Sequence, residues 1–169
     1  IFFCVGIVSI TLLFFFIAKG FIGYMPPIEE LQNPKDKFAS EIYSSDMEVI
    51  GRYYQSKGNR VYVGYNEISP YLVNALIATE DARFEDHSGI DVKALARAVI
   101  KRGLFFQKSA GGGSTISQQL AKQLFSPSAE NVMERLFQKP IEWVIAVQLE
   151  RFYTKEEIVN MYLNKFDFL

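Results

Sequence analysis

The chain has 169 residues, with 18 Lys and Arg against 19 Asp and Glu, for a formal net charge of −1. That length suits one modest domain with an added segment, and the absence of a basic excess argues against a nucleic-acid surface. Cys4 is the only cysteine, which excludes an internal disulfide. The chain starts at Ile1 and stops within the apolar-aromatic run Phe166-Asp167-Phe168-Leu169. A longer parent is therefore expected, with the C-terminal part of the last domain missing here.

Residues 1–18 carry no charge, and Ser9 and Thr11 are their only polar side chains. As a helix this run spans roughly 27 Å, close to the hydrocarbon thickness of a bilayer. Phe21 and Ile22 extend the apolar character, and Tyr24 suits the interface. The run is long for a signal-peptide core, and no small-x-small cleavage site follows it. The expectation is an uncleaved transmembrane signal anchor over 1–23. A buried helix of a soluble protein is the other reading. Met25-Pro26-Pro27 ends the segment, because proline has no N–H with which to continue a helix.

Residues 24–66 read as a polar linker and a small β stalk. Strands are expected at 41–43 and 49–54, around a Ser-Ser-Asp turn, and at 60–63 after Lys57-Gly58-Asn59. Helices dominate from Ser69. Ser69 is a candidate N-cap with Pro70 at the first helical position, and Val73, Leu76, Ile77 and Glu80 share one face. Asp91 is the next candidate N-cap, ahead of Val92, Leu95, Ala96 and Val99. Residues 103–113 read as a loop whose Leu104-Phe105-Phe106 could touch lipid. Ile116, Leu120 and Leu124 mark a third helix. Ile141, Val144, Ile145, Gln148, Leu149 and Phe152 mark a fourth. Thr154 with Glu157 forms a capping box opening a fifth.

Chemistry concentrates in four places. Glu80 ends an apolar stripe, where partial desolvation would make its carboxylate a better general base; helix-end acids also commonly just face water. His87, the only histidine, lacks the companions a zinc site requires and reads first as a hydrogen-bonding residue. Gly111-Gly112-Gly113-Ser114-Thr115 opens a helix, whose free N–H groups favour an anion; a flexible linker with an ordinary cap is the alternative. Gln118 and Lys122 lie one turn apart and could add donors. Glu142, three residues after Lys139, is either half of a surface ion pair or part of a pyrophosphate site.

Taken together, these segments resemble the glycosyltransferase family 51 domain of class A penicillin-binding proteins and monofunctional peptidoglycan glycosyltransferases. The family motif E-D-x-x-F-x-x-H-x-G is matched at Glu80, Asp81, Phe84, His87 and Gly89. G-G-S-T-I-T-Q-Q is matched over residues 112–119, with Ser117 in place of Thr. R-K-x-x-E keeps Lys139 and Glu142 but has Gln138 in place of Arg, with Arg135 as a substitute cation. I-L-E-x-Y-L-N keeps Ile158, Tyr162, Leu163 and Asn164. The resemblance covers about residues 69–169.

The resemblance implies a mostly α, lysozyme-like domain over 67–169, outside the cytoplasmic membrane. It implies polymerisation of lipid II into β-1,4-linked glycan strands with release of undecaprenyl pyrophosphate and inversion at the anomeric carbon. Glu80 would be the general base and Glu142 an essential supporting acid. Asp81, Phe84, His87, Ser114, Thr115, Gln118, Gln119, Lys122, Arg135 and Lys139 would form the substrate site. A divalent cation such as Mg²⁺ would suit a carboxylate and phosphate oxygens; no organic cofactor is implied. Partners would be lipid II, the nascent glycan, the membrane and other wall-synthesis proteins. Two other readings are kept: a lysozyme-like hydrolase or lytic transglycosylase, and a non-catalytic membrane-anchored scaffold.

Overall fold

Seven α-helices and one β-hairpin account for the regular structure in a computed structural model, which describes residues 2–32, 40–53, 61–103, 113–126 and 132–166. In chain order they are α1 (Phe2–Ala18), α2 (Ile28–Gln32), β1 (Ser40–Tyr43), β2 (Val49–Tyr53), α3 (Pro70–Glu80), α4 (Val92–Gly103), α5 (Ile116–Phe125), α6 (Val132–Phe152) and α7 (Lys155–Lys165). Single 3₁₀ turns lie at Tyr65–Glu67 and Phe84–Asp86. The protein is mostly helical with one small sheet, as expected.

The helix found where an anchor is expected over 1–23 is shorter than that span. Helix α1 has 17 residues, about 26 Å of helix. Among the described residues no helix is long and apolar enough to cross a membrane. The helix stops because the chain turns beyond Lys19, with Gly20 and Gly23 both at positive φ, a conformation glycine adopts without steric cost. One side of α1 lies on α6: Phe14 stacks on Trp143 with ring centroids 6.3 Å apart, and Ile17 is fully buried. Val5, Val8 and Ile10 are exposed. The linker after it contains α2, a turn of helix too short to show periodicity. Its Leu31 is buried, and the Leu31 carbonyl accepts a hydrogen bond from Tyr153 Oη at 2.9 Å.

Strands β1 and β2 pair antiparallel, with Glu41 opposite Arg52 and an irregularity between Ile42 and Tyr43. Of the expected third strand at 60–63, the described residues 61–63 do not join them. Residues 61–64 instead lie along α7, where Asn164 Oδ1 accepts from Val63 N and Asn164 Nδ2 donates to Val63 O, each at 2.9 Å. A side chain thus satisfies the backbone groups that a neighbouring strand would have bonded.

The core lies where α5, α6 and α7 meet. Ile116, Leu120, Ile145, Leu149, Ile158 and Tyr162 are essentially inaccessible, and Val73, Leu76 and Phe84 join them from α3 and the loop after it. Each such burial contributes roughly 1.5–3 kcal/mol relative to exposure. By contrast, neither hairpin strand contains a buried residue, so packing of α5–α7, rather than the sheet, holds the domain. Ser69 and Pro70 start α3, and the Thr154–Glu157 capping box opens α7, both as the sequence predicts.

Two helices differ from expectation. In α4, Val92 is 70% exposed and Val99 and Ile100 are also exposed, so its apolar stripe does not enter this core. Helix α6 begins at Val132, upstream of the predicted Ile141, and runs through Pro140. Leu104-Phe105-Phe106, Gly111 and Gly112 lie outside the described residues.

Candidate active site

The end of α3 and the start of α5 are joined by the two acids of the first motif. Glu80 is exposed, so the expected desolvation of its carboxylate is absent: it sits on the last turn, where the apolar face runs out. Its Oε2 accepts from Gln119 Nε2 at 2.8 Å, across 39 residues. Gln119 Oε1 in turn accepts from Tyr162 Oη at 3.0 Å, across a further 43. The chain Tyr162–Gln119–Glu80 sets the carboxylate's direction from the core outward. Tyr162 is buried and stacks on Phe166. Burial, reinforced by the charge of Glu80, pushes its phenol up to about 12.

Asp81 turns inward and is buried. It accepts from His87 Nε2 at 3.0 Å and from the Ile116 N–H at 3.1 Å. The carboxylate partner places a proton on Nε2, while Nδ1 is buried and without a hydrogen-bond partner. The loop is completed by Gly89. Its φ is +91°, and a Cβ there would lie 2.8 Å from the Ala146 carbonyl carbon. Glycine is therefore required both for backbone conformation and for close approach to α6.

The Gly89 carbonyl accepts from Thr115 Oγ1 at 2.7 Å and Gln118 Nε2 at 3.2 Å. Thr115 caps α5 by accepting from the Gln118 N–H. Thr115 and Gln118 are both buried. These two predicted substrate ligands thus direct their polar groups at the first-motif loop, not at solvent. Phe84 is likewise fully buried, edge-on to His87. Lys122 is exposed on α5.

A second cluster forms between the start of α5 and α6. Glu142 is 2% exposed, and Lys139 Nζ stands 2.7 Å from its Oε2. The contact is one of charge without hydrogen-bond alignment, since Oε2 has no hydrogen-bond partner. The same ammonium donates to Ser114 Oγ at 3.1 Å, across 25 residues. It is half exposed and so available to an anion. Arg135 lies on α6, and its side chain is outside the described residues.

Neither cluster forms a cation cage from protein groups alone. Asp81, His87 and Asp91 come close enough together to suggest one, but their oxygens are committed. Arg83 holds both Asp91 oxygens at 2.6–2.7 Å, and the Ala94 N–H caps α4 on Oδ1. Burial pushes the Asp91 carboxyl up, but the Ala94 N–H, Arg83 and His87 outweigh it and leave the group below its ordinary value. At Glu142 one carboxylate faces an ammonium. A hard divalent ion there would need most of its oxygens from a substrate.

These features define a transglycosylase domain, and the chain belongs to that family: the Transglycosylase family pattern matches residues 46–169. Its relatives include penicillin-binding protein 1A of Escherichia coli K12, 36% identical over 141 residues, covering 83% of this chain and 16% of that protein. Penicillin-binding protein 1A of Aquifex aeolicus is 37% identical, covering 95% and 22%. The biosynthetic peptidoglycan transglycosylase of Nitrosomonas eutropha is 48% identical over 103 residues, covering 61% and 40%. The matches thus span 16%, 22% and 40% of these relatives' own lengths.

Glu150 and Lys155 were not among the predicted site residues. Lys155 donates to the His87 carbonyl at 2.6 Å, and Glu150 accepts from Ser117 Oγ at 2.5 Å. Glu150 lies four residues before the capping box and Lys155 within it, a signal read only as a helix start.

Proposed function

We propose that the chain is the glycosyltransferase part of a peptidoglycan polymerase that joins lipid II units into β-1,4-linked strands. One observation supports this reading: side chains of all four motifs are linked by hydrogen bonds into two adjoining clusters around α5 and its start, one offering a solvent-facing carboxylate and the other an ammonium beside a buried acid.

The chemistry follows from that division. The 4-hydroxyl of an acceptor GlcNAc is a weak acid and needs a base within hydrogen-bond reach. Glu80 takes that proton as the oxygen forms its bond to the donor's MurNAc C1. The C1–O bond to undecaprenyl pyrophosphate breaks on the opposite face, so the anomeric centre inverts from α to β. The leaving group requires charge stabilisation more than protonation, which Lys139 and Ser114 supply, with Lys122, exposed on α5, and Arg135 of α6 as further cations. Glu142 orients Lys139 from its buried position. A divalent ion, when bound, would neutralise pyrophosphate charge with Glu142 as its carboxylate; the roles of the side chains above do not depend on it. Asp81 and His87 organise the loop that presents Glu80.

A polyprenyl substrate stays in the bilayer, so the enzyme belongs beside it. The exposed apolar face of α1 supports anchoring in the cytoplasmic membrane, with the lysozyme-like catalytic domain on its outer side. Flotation of the parent protein with liposomes tests this; loss of flotation only on removal of residues 1–23 is expected, and flotation without them would contradict α1 as the anchor.

The reading is tested by lipid II polymerisation with the full-length parent in detergent, resolving products by glycan length. Wild type should make long strands and Glu80→Gln none. Shortening of preformed glycan by wild type would point to a hydrolase. Equal strands from both proteins would remove Glu80 from the chemistry.

A further inference from the structure

A buried ion pair closes the bend between α6 and α7. Lys155 Nζ lies 2.8 Å from Glu150 Oε2 and donates to Oε1 at 2.9 Å. The Glu150 side chain is 4% exposed and that of Lys155 22%. The ammonium also donates to the His87 carbonyl at 2.6 Å and stands 4.2 Å from the Phe84 ring centroid. Glu150 Oε1 accepts from Ser117 Oγ at 2.5 Å. One pair therefore connects the first-motif loop, α5, α6 and α7.

Stability alone is a weak reason for such a pair. Desolvation offsets much of its attraction, and apolar replacements of similar volume are often neutral or stabilising. An apolar pair cannot bond the His87 carbonyl or the Ser117 hydroxyl, so what it would lose is direction. His87 holds Asp81, next to Glu80. Ser117 lies two residues before Gln119, the partner of Glu80, and three after Ser114, the partner of Lys139. The pair thus joins the segment bearing Glu80 to the helices bearing the ammonium cluster.

We infer that Glu150 and Lys155 are positioning residues for glycosyl transfer, setting the spacing between Glu80 and the Lys139–Glu142 cluster without touching substrate. The inference rests on the function proposed above. Misplacement of a reacting group by about 1 Å can cost on the order of 100-fold in rate, so removal of the pair should act on turnover.

The test uses the full-length parent and the double variant Glu150→Leu/Lys155→Met. Thermal unfolding, kcat and KM for lipid II, and amide exchange over residues 84–89 are measured together. The expected result is a melting temperature near that of wild type, kcat lower by about 10–100-fold, KM little changed, and faster exchange over 84–89. A folded double variant with wild-type kcat overturns the inference, as does a kcat loss that only tracks lost stability. If the double variant does not fold, Ser117→Ala decides: reduced kcat at an unchanged melting temperature supports the inference, and wild-type kcat overturns it. Glu80→Gln is the control for the underlying function. If wild type makes no polymer, that reading fails and the inference falls with it; polymer from wild type that is lost in Glu80→Gln, with wild-type kcat in the folded double variant, overturns the inference alone.

Discussion

The Glu80 and Glu142 halves of the site contain the same residue type in opposite environments. Glu80 is exposed and held by a neutral amide that the buried Tyr162 orients. Glu142 is buried, and its near neighbour is an ammonium. A carboxylate facing solvent with one hydrogen bond has lone pairs left for an incoming proton. A buried carboxylate against Lys139 acts chiefly by placing charge. The contrast teaches that the two acids differ in what surrounds them: Gln119 of the second motif, backed by Tyr162 of the fourth, at Glu80, and Lys139 of its own motif at Glu142.

Four changes break or sharpen that contrast. The largest effect belongs to Glu80→Gln, which keeps the shape and removes the base; polymerisation should fall by about 10²–10⁴-fold, read as strand formation per minute. Lys139→Ala should cost about 10²-fold through lost stabilisation of the leaving group, with the loss concentrated on donor use in a two-substrate assay. Gly89→Ala places a Cβ against α6 at positive φ and should destabilise both halves together by about 1–3 kcal/mol, visible in thermal unfolding. Tyr162→Phe should be mildest near neutral pH, about 0.5–1.5 kcal/mol for one hydrogen bond.

The Tyr162 phenol adds a pH test. Its ordinary value of 10.0 rises to about 12 in the fold through burial and then Glu80. A raised value means that the stabilisation is fully present below 10 and is lost as pH rises from about 10 through about 12. Over that range wild type should lose more stability than Tyr162→Phe in parallel thermal melts.

Local signals were legible in the sequence. Pro70 at the first helical position, the Asp91 cap and Thr154-x-x-Glu157 start helices where predicted, because these signals act within one turn; Ser69 holds the N-cap position of α3 without a side-chain cap bond. Motif order also placed Glu80, Lys139 and Glu142 among the residues that gather on α5 and α6. The rest depended on contacts far apart in the chain. The third strand failed because Val63 bonds Asn164, 101 residues away. The desolvation of Glu80 failed because periodicity gives a face but not where its cover ends. The outward Val92 and Val99 of α4 show the same limit. Glu150 and Lys155 went unnoticed because their partners Ser117 and His87 lie 33 and 68 residues away.

The central claim is a division of labour between the two halves, and binding of a non-reactive pyrophosphate donor analogue measures it most directly. Glu80→Gln and Lys139→Ala are compared with wild type by titration in detergent. The account predicts that Glu80→Gln binds the analogue as tightly as wild type while making no polymer, and that Lys139→Ala binds it at least tenfold more weakly. Weakened binding in Glu80→Gln together with wild-type binding in Lys139→Ala would contradict it.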